Sequence, residues 1–356
     1  HAAHGAQIAG WTEDERQRSF EAFASNIDVV PPDSEILQEA NYDCFVFPDI
    51  DHSLLGTGLA GAIKKFAAGK MKPGATLLPG KARLFAQGIQ WLYPASGFDL
   101  QPVNELRWSL APQPLELPAE CWRPLTPAVT LGEIDFLDFS EGVWPARLPV
   151  TSSGELNAIA YWYELELGGV RISSAPTGIL GCIKPALQYT DTQRLEAGAE
   201  LAVEVQATNS CLQIRTCPPA TQTRSRLLPG WYVPMVVDEA RNDGYDQALH
   251  ARLAGGTASR VLDIGAGFGL LSMMAARHPG HQVHACEVNP VIVRTAAEVI
   301  RVNGAADRIH LLNKDCRSLK VPEDLPERAD LAVFELFDCS LLGEGILHFL
   351  AYAREH

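Results

Sequence analysis

Apolar and polar positions change their spacing twice along the chain, and the three textures predict three kinds of element. Beyond residue 231, short apolar runs alternate with amphipathic stretches. Strands are predicted at Val261–Ile264, Gln282–Glu287, Ile309–Leu312 and Leu331–Phe334, with helices at Leu270–Arg277, Val291–Val302 and Ile346–Arg354 between and after them. Strands alternating with helices imply a parallel sheet covered on its faces. From 96 to 225 helical spacing disappears and prolines are frequent. Strands are predicted at Ile134–Phe139, Ala158–Leu167, Leu201–Val205 and Leu212–Arg215, and Leu201, Val203 and Val205 show the two-residue period of a half-buried strand. That stretch reads as a sandwich or barrel. Residues 1–95 are mixed: helices at Glu13–Ala24 and Leu59–Ala68, a buried strand at Tyr42–Phe47, and a second strand at Leu77–Ile89 interrupted by Pro79 and Gly80. The expected architecture is α/β plus all-β, divided into units at 1–95, 96–225 and 226–356.

Composition narrows the function classes. The chain has 356 residues, 29 basic and 43 acidic, for a formal charge of -14; 47% are hydrophobic and 20% charged. Those proportions exclude wholesale disorder. No apolar run approaches the ~18 residues of a spanning helix, so no membrane partner is expected. An acidic balance argues against direct nucleic-acid binding and favours a cationic substrate or partner, although it also serves solubility alone. The 8 cysteines include no C-x-x-C pair and are too dispersed for a disulfide framework, which suits reduced thiols in a cytoplasmic or nuclear protein. The chain opens with His1 and stops inside a predicted helix, so a fragment of a longer protein is expected.

A repeat links the two ends. Phe47–Gly58 aligns without gaps on Phe334–Gly345 at an offset of 287 (334 minus 47), with 7 of 12 positions identical and Ser-Leu-Leu-Gly shared at 53–56 and 340–343. Asn26 and Asp28 match Asn313 and Asp315 at the same offset. Two copies of one α/β module are implied, the first present through its rear half and the second through its front half.

Candidate chemistry gathers in the second copy. Val261-Leu-Asp263-Ile-Gly265-Ala-Gly267-Phe-Gly269 ends a strand in a glycine turn, which lets backbone approach a ligand at the next helix N-terminus. A dinucleotide fingerprint needs a third glycine where Leu270 stands, so the turn suits a ligand without pyrophosphate, such as S-adenosylmethionine; a tight turn that binds nothing is the plain alternative. Glu287, at the end of the next strand, is placed to accept from two ribose hydroxyls. Asp315 follows the third strand, where an adenine edge would lie. Glu335 ends a parallel strand and Glu344 begins the last helix. Two carboxylates brought together repel unless a cation sits between them, and a guanidinium, permanently charged and planar, fits.

These residues resemble the protein arginine N-methyltransferase family. The glycine turn matches its cofactor motif, and Phe334-Glu335-Leu-Phe-Asp338-Cys-Ser-Leu-Leu-Gly-Glu344-Gly matches its double-glutamate loop. Met235-Val-Val-Asp238-Glu-Ala-Arg241-Asn-Asp-Gly-Tyr245 resembles the helix that closes over the cofactor, and the tandem copies resemble the branch of methyltransferases seven and nine. The resemblance implies a Rossmann-like S-adenosylmethionine-dependent methyltransferase sheet with a β-barrel domain. It implies catalytic Glu335 and Glu344, cofactor contacts from Arg241 (to the cofactor carboxylate), Asp263, Gly265, Gly267, Glu287 and Asp315, and no metal. It further implies S-adenosyl-L-methionine as cofactor, arginine-containing protein substrates, and a pseudo-dimer of tandem modules in the longer protein.

The first copy departs from the pattern. Pro48 and Thr57 occupy its two glutamate positions, and Gly181-Cys182-Ile183 stands where the family's barrel offers a Thr-His-Trp-like loop. The first copy therefore reads as degenerate. A catalytically silent scaffold remains a rival, and a nucleotide-dependent oxidoreductase is a second, opposed by Leu270. His278, His281 and His284 do not converge as metal ligands when split between a turn and a strand. Tyr161-Trp162-Tyr163 is expected to pack, with alternate rings on opposite faces. The two half-modules are expected to dock as one composite sheet, with the Tyr42–Phe47 strand near Leu331–Phe334.

Overall fold

A computed structural model describes residues 42–66, 70–92, 94–107, 109, 111–115, 121–176, 183–221, 228–229, 231–255, 260–337, 343 and 345–355. The predicted helix Glu13–Ala24, Glu344 and Cys182 lie outside them.

The described chain begins with β1 (Tyr42–Val46), α1 (Leu59–Phe66) and β2 (Met71–Leu78). β1 and β2 form their own parallel pair, with Phe45 opposite Leu77 and Val46 opposite Leu78. The interruption expected at Pro79 and Gly80 within Leu77–Ile89 separates two strands that belong to different sheets. The chain turns at Pro79 and Gly80, and β3 (Lys81–Trp91) leaves for another sheet. The break residues were a sheet change, not a kink in one strand.

A hairpin follows, β4 (Pro94–Ala95) with β5 (Phe98–Asp99). Next come β6 (Gln113–Pro114), β7 (Trp122–Pro124), β8 (Val129–Asp135), β9 (Gly142–Pro149), β10 (Gly154–Leu167), β11 (Val170–Ser173), β12 (Ala186–Leu195), β13 (Glu200–Thr208) and β14 (Cys211–Thr216). β3 and β10 run antiparallel through the middle of a seven-stranded sheet in the order β6-β12-β10-β3-β7, with β8 on β3 and β11 on β10. A three-stranded sheet, β14-β13-β9, faces it. Leu84, Ala86, Leu156, Ile159 and Tyr161 from the first sheet share one core with Leu201, Val203, Val205, Leu212 and Ile214 from the second. The two-residue period predicted at 201–205 is thus the core face of β13. Tyr161 and Tyr163 point into this core, Tyr161 donating its hydroxyl to the Leu212 carbonyl of β14 at 3.0 Å, while Trp162 stacks on Phe85 across the other face. The strand predicted at Ile134–Phe139 is displaced N-terminally, as β8.

The third part carries α2 (Tyr232–Val236), α3 (Glu239–Leu253), β15 (Arg260–Ile264), α4 (Leu270–Ala276), β16 (Gln282–Cys286), α5 (Pro290–Val302), β17 (Ile309–Leu312), β18 (Leu331–Phe334) and α6 (Ile346–Glu355). All four strands are parallel, in the order β17-β16-β15-β18. Strand order reverses at β15, because β16 and β18 flank it on opposite sides. Open parallel sheets bind ligands outside the strand C-termini at that switch point.

The composite sheet does not form. Among the described strands β18 pairs with β15 alone and β1 with β2 alone. The first copy's loop is engaged elsewhere: Leu54 and Leu55 are fully buried in the β-domain core, and Tyr163 donates to the Asp51 carbonyl at 2.5 Å.

Candidate active site

Register puts the candidate residues in a row. Leu312, Cys286, Ile264 and Phe334 are successive cross-strand partners at the ends of the four strands. The next residue on each is Asn313, Glu287, Gly265 and Glu335. Neighbouring strands lie about 4.8 Å apart, so these four start from adjacent points along one sheet edge. A cleft of about 510 Å³ opens there, lined among others by Arg241, Gly265, Gly267, Glu287, Asp315 and Glu335.

The glycine turn forms its inner wall. Gly265, Gly267 and Gly269 all have positive φ, at 72°, 54° and 81°. A Cβ on Gly265 would stand 2.8 Å from a Leu336 methyl, and one on Gly267 2.9 Å from the Tyr232 hydroxyl. The amides of Gly265 and Ala266 both donate to the Cys286 carbonyl at 3.0 Å, locking the turn to β16. Glu287 accepts from the Gly267 amide (3.2 Å) through Oε2 and from the Asn289 amide (2.8 Å) through Oε1. Each oxygen keeps a further lone pair, the acceptors a vicinal diol requires. Asn313 steadies this segment by donating to the carbonyls of Glu287 and Val288 at 2.8 and 3.0 Å.

The structure places Asp263 behind the glycine turn and not among the residues that line the cleft: it is 1% exposed, and its Oδ2 accepts the Ser272 hydroxyl of α4 at 2.6 Å. Strand alternation turns it beneath the glycine turn instead of toward the opening. Burial pushes its carboxyl up to about 6, against the lowering pull of the Ser272 hydrogen bonds. Its bond to Ser272 ties β15 to α4, the two elements that the glycine turn joins.

α3 supplies the opposite wall. Asp238 caps its N-terminus by accepting the Arg241 amide at 3.0 Å, which places Arg241 in the first turn over the end of β18. Tyr245, one turn later, donates to the Phe334 carbonyl at 3.0 Å and fixes the helix to that strand. Arg241 then reaches Glu335: its Nη2 donates to Oε2 at 2.8 Å, with the two side chains only 18% and 15% exposed. Nη1 donates to the Oδ1 of buried Asn242 at 2.8 Å, and the guanidinium lies 5.4 Å from the Tyr245 ring centroid. The Arg241 Nε is buried with no hydrogen-bond partner among the described residues. The resemblance assigned Arg241 to a cofactor carboxylate; in this structure it bonds Glu335 and retains an orphaned donor at the cleft wall.

Asp315 stands at the far end. It caps a short turn, accepting the Arg317 amide at 2.9 Å, and its carboxylate is gripped by the same residue's guanidinium through Nε at 2.9 Å and Nη2 at 2.5 Å. Those bonds hold its carboxyl down to about 2.

Several cleft residues had no assigned role in the sequence reading. Trp231, Val288 and Phe337 are exposed apolar side chains at its rim, and Tyr232 stacks on Trp231 and meets Phe268 edge-on. Their signal was position, next to Glu287, Glu335 and the first helix. His281 is buried and its Nε2 lies 3.1 Å from the Leu253 carbonyl. Among the described residues no group of three or more His, Cys, Asp or Glu side chains is arranged to hold a metal.

Residues 261–341 match a family model described as a methyltransferase domain. The chain is 39% identical over 135 residues to an arginine N(omega)-methyltransferase of Streptomyces achromogenes subsp. streptozoticus, covering 38% of this chain and 37% of that one. It is 38% identical over 130 residues to protein arginine N-methyltransferase 9 of Homo sapiens, covering 36% and 15% of the two chains. It is 42% identical over 132 residues to protein arginine N-methyltransferase 7 of Oryza sativa subsp. indica, covering 35% and 18%. The chain therefore spans little more than a third of the first of these relatives and under a fifth of the other two. Among solved structures, the Trypanosoma brucei PRMT1 enzyme-prozyme heterotetrameric complex with AdoHcy aligns over 54% of this chain and 66% of that one, at 14% identity and a TM-score of 0.44. Residues 261–341 thus resemble a methyltransferase domain, and over about a third of its length the chain is similar to protein arginine N-methyltransferases, those numbered 7 and 9 among them.

Proposed function

We propose that the cleft is the cofactor and acceptor site of an S-adenosylmethionine-dependent protein arginine N-methyltransferase. One observation carries the reading. Glu335 already holds a guanidinium, that of Arg241, at 2.8 Å inside a cleft whose other wall is built for a nucleoside.

The residues present fit that cofactor. Glu287 offers lone pairs to ribose hydroxyls, the positive-φ glycines let a ligand approach the backbone, and the orphaned Arg241 Nε–H offers a donor to a carboxylate. When bound, S-adenosylmethionine supplies an electrophilic methyl group on a sulfonium. Glu335 receives the acceptor guanidinium; among the described residues its Oε1 accepts nothing, so it has capacity beyond Arg241. An acceptor guanidinium held by a carboxylate concentrates its positive charge on the bonded nitrogens. Held by Glu335 in this way, the acceptor would keep lone-pair density on the nitrogen turned toward the methyl donor, so the residue's role would be to orient that nitrogen and localise the charge away from it. Glu344 is proposed as the second carboxylate of that grip.

Protein substrates rich in arginine suit a chain with a charge of -14. We assign residues 1–95 to the rear of a degenerate module, 96–225 to the β-domain and 226–356 to the front of a cofactor-binding module, with β3 contributed to the β-domain sheet. A pseudo-dimer of the tandem modules, and a cytoplasmic or nuclear site of action without direct nucleic-acid contact, complete the proposal. Among the described residues no helix is long and apolar enough to cross a membrane.

The test is methyl transfer to an arginine-containing protein, with methylarginine read by mass spectrometry for wild type and Glu335→Gln. Transfer by wild type and its loss in the variant are expected. Undiminished transfer by the variant would remove Glu335 from the mechanism.

A further inference from the structure

Asp315 and Arg317 make a three-point lock at one end of the cleft. The Asp315 Oδ1 accepts two N–H groups, the Arg317 amide and Nε, both at 2.9 Å; Oδ2 accepts Nη2 at 2.5 Å. A carboxylate oxygen accepts about two hydrogen bonds in its plane, so one acceptor position remains, on Oδ2. The carboxylate is also unable to turn, because the fork binds both oxygens at fixed spacing. The Arg317 guanidinium in turn lies 5.2 Å from the Phe349 ring centroid on α6. Asp315, Arg317 and Phe349 all line the cleft.

We infer that Arg317 is the residue that makes this site selective for a 6-amino purine, by holding Asp315 as a fixed acceptor with a single open position. The inference rests on the cofactor reading above and adds to it a residue that acts through Asp315. An adenine presents an exocyclic N–H donor to the open position. Hypoxanthine presents a carbonyl oxygen at the same place and a donor one atom away, at N1. A carboxylate free to rotate would follow that donor; one held at three points cannot. The ionised state matters equally, since a protonated Asp315 would donate to the 6-oxo group. Its carboxyl is held down to about 2, chiefly by the Arg317 hydrogen bonds, so it stays an acceptor throughout the working range.

The experiment is calorimetric titration of this chain with S-adenosylhomocysteine and with its 6-oxo analogue, S-inosylhomocysteine. Wild type is expected to prefer the adenosyl ligand by about 100-fold, the range of one hydrogen bond to a charged group plus the mismatch left by its loss. Arg317→Met should cut that preference to about tenfold or less. Arg317→Lys, which keeps the charge but not the fork, should lose most of it as well, and it decides the matter if the Met variant does not fold. A merely structural role through Phe349 would weaken both ligands together and leave the ratio unchanged. A preserved ratio in both variants would overturn the role of Arg317 while leaving the cofactor site intact. Failure of wild type to bind either ligand would sink the cofactor reading and this inference with it.

Discussion

Arg241 and Glu335, 94 positions apart in the chain, meet at 2.8 Å where the first turn of α3 crosses the end of β18. Each side chain is more than four-fifths covered, so each depends on the other for its charge to be tolerated. Arg241→Met and Glu335→Gln should each lower unfolding free energy by about 2 kcal/mol, because each leaves one buried charge unpaired. The double variant should lose no more than either single one. A denaturant-melt cycle checks this, and strictly additive losses would dissolve the coupling.

Gly267 and Gly244 should respond to alanine in opposite ways. Gly267 sits at φ 54° with a Cβ position 2.9 Å from the Tyr232 hydroxyl. Gly267→Ala is expected to cost about 1–2 kcal/mol in backbone strain and to weaken S-adenosylhomocysteine binding at least tenfold. Gly244 lies within α3 with nothing within 4 Å of its Cβ position. Gly244→Ala is expected to stabilise the chain by about 0.5–1 kcal/mol. Thermal melts of both variants, with a binding titration of the first, supply the comparison.

Asp263 predicts a pH dependence of definite sign. Its carboxyl is raised by burial from 3.8 to about 6, so the folded chain prefers it protonated. Its contribution to stability is therefore full below pH 3.8 and is lost as the pH rises through 6. Two units at about 1.4 kcal/mol each set a penalty near 3 kcal/mol above pH 7. Asp263→Asn, still able to bond Ser272, should gain about 2 kcal/mol on wild type at pH 7.5 and much less at pH 5. Urea melts at the two pH values measure it; an equal difference at both would place the carboxyl outside this window.

Asn303 fastens the β4–β5 hairpin to α5. Its side chain accepts from the Asp99 amide and donates to the Asp99 carbonyl, both at 2.8 Å, while the Arg277 guanidinium covers the Phe98 ring at 3.9 Å and bonds the Ser96 carbonyl. Asn303→Ala should raise hydrogen exchange at the Asp99 amide by about tenfold, with the amides of β15 and β16 unchanged. Unaltered exchange at Asp99 would show that the asparagine carries none of this attachment.

The parallel sheet was legible because two local signals agree there: apolar runs of strand length, and a glycine turn that only a strand-to-helix junction needs. The β17 and β18 limits were predicted to the residue, and Glu287 and Glu335 follow from standing next to strand ends. β9 went unpredicted because it is an edge strand of the three-stranded sheet, where Pro145 is tolerated and exposed positions break the apolar pattern. β3 was assigned to the wrong neighbours since nothing in Lys81–Trp91 names its partner; only its register with β10 does. Asp263 was placed in the cleft by its motif, whereas Ser272, nine residues on in the buried helix, was the available sign of a buried partner. The Arg241–Glu335 pair has no local signature at all.

The account stands or falls on whether Glu287 holds a nucleoside beside the glycine turn. Titration of S-adenosylhomocysteine into wild type and Glu287→Gln tests this directly, since the amide replaces one of the two acceptor oxygens by a donor. Micromolar binding by wild type and a loss of tenfold or more in the variant, about 1.4 kcal/mol, are predicted. Equal affinity for the two proteins, or no binding by wild type, would contradict it.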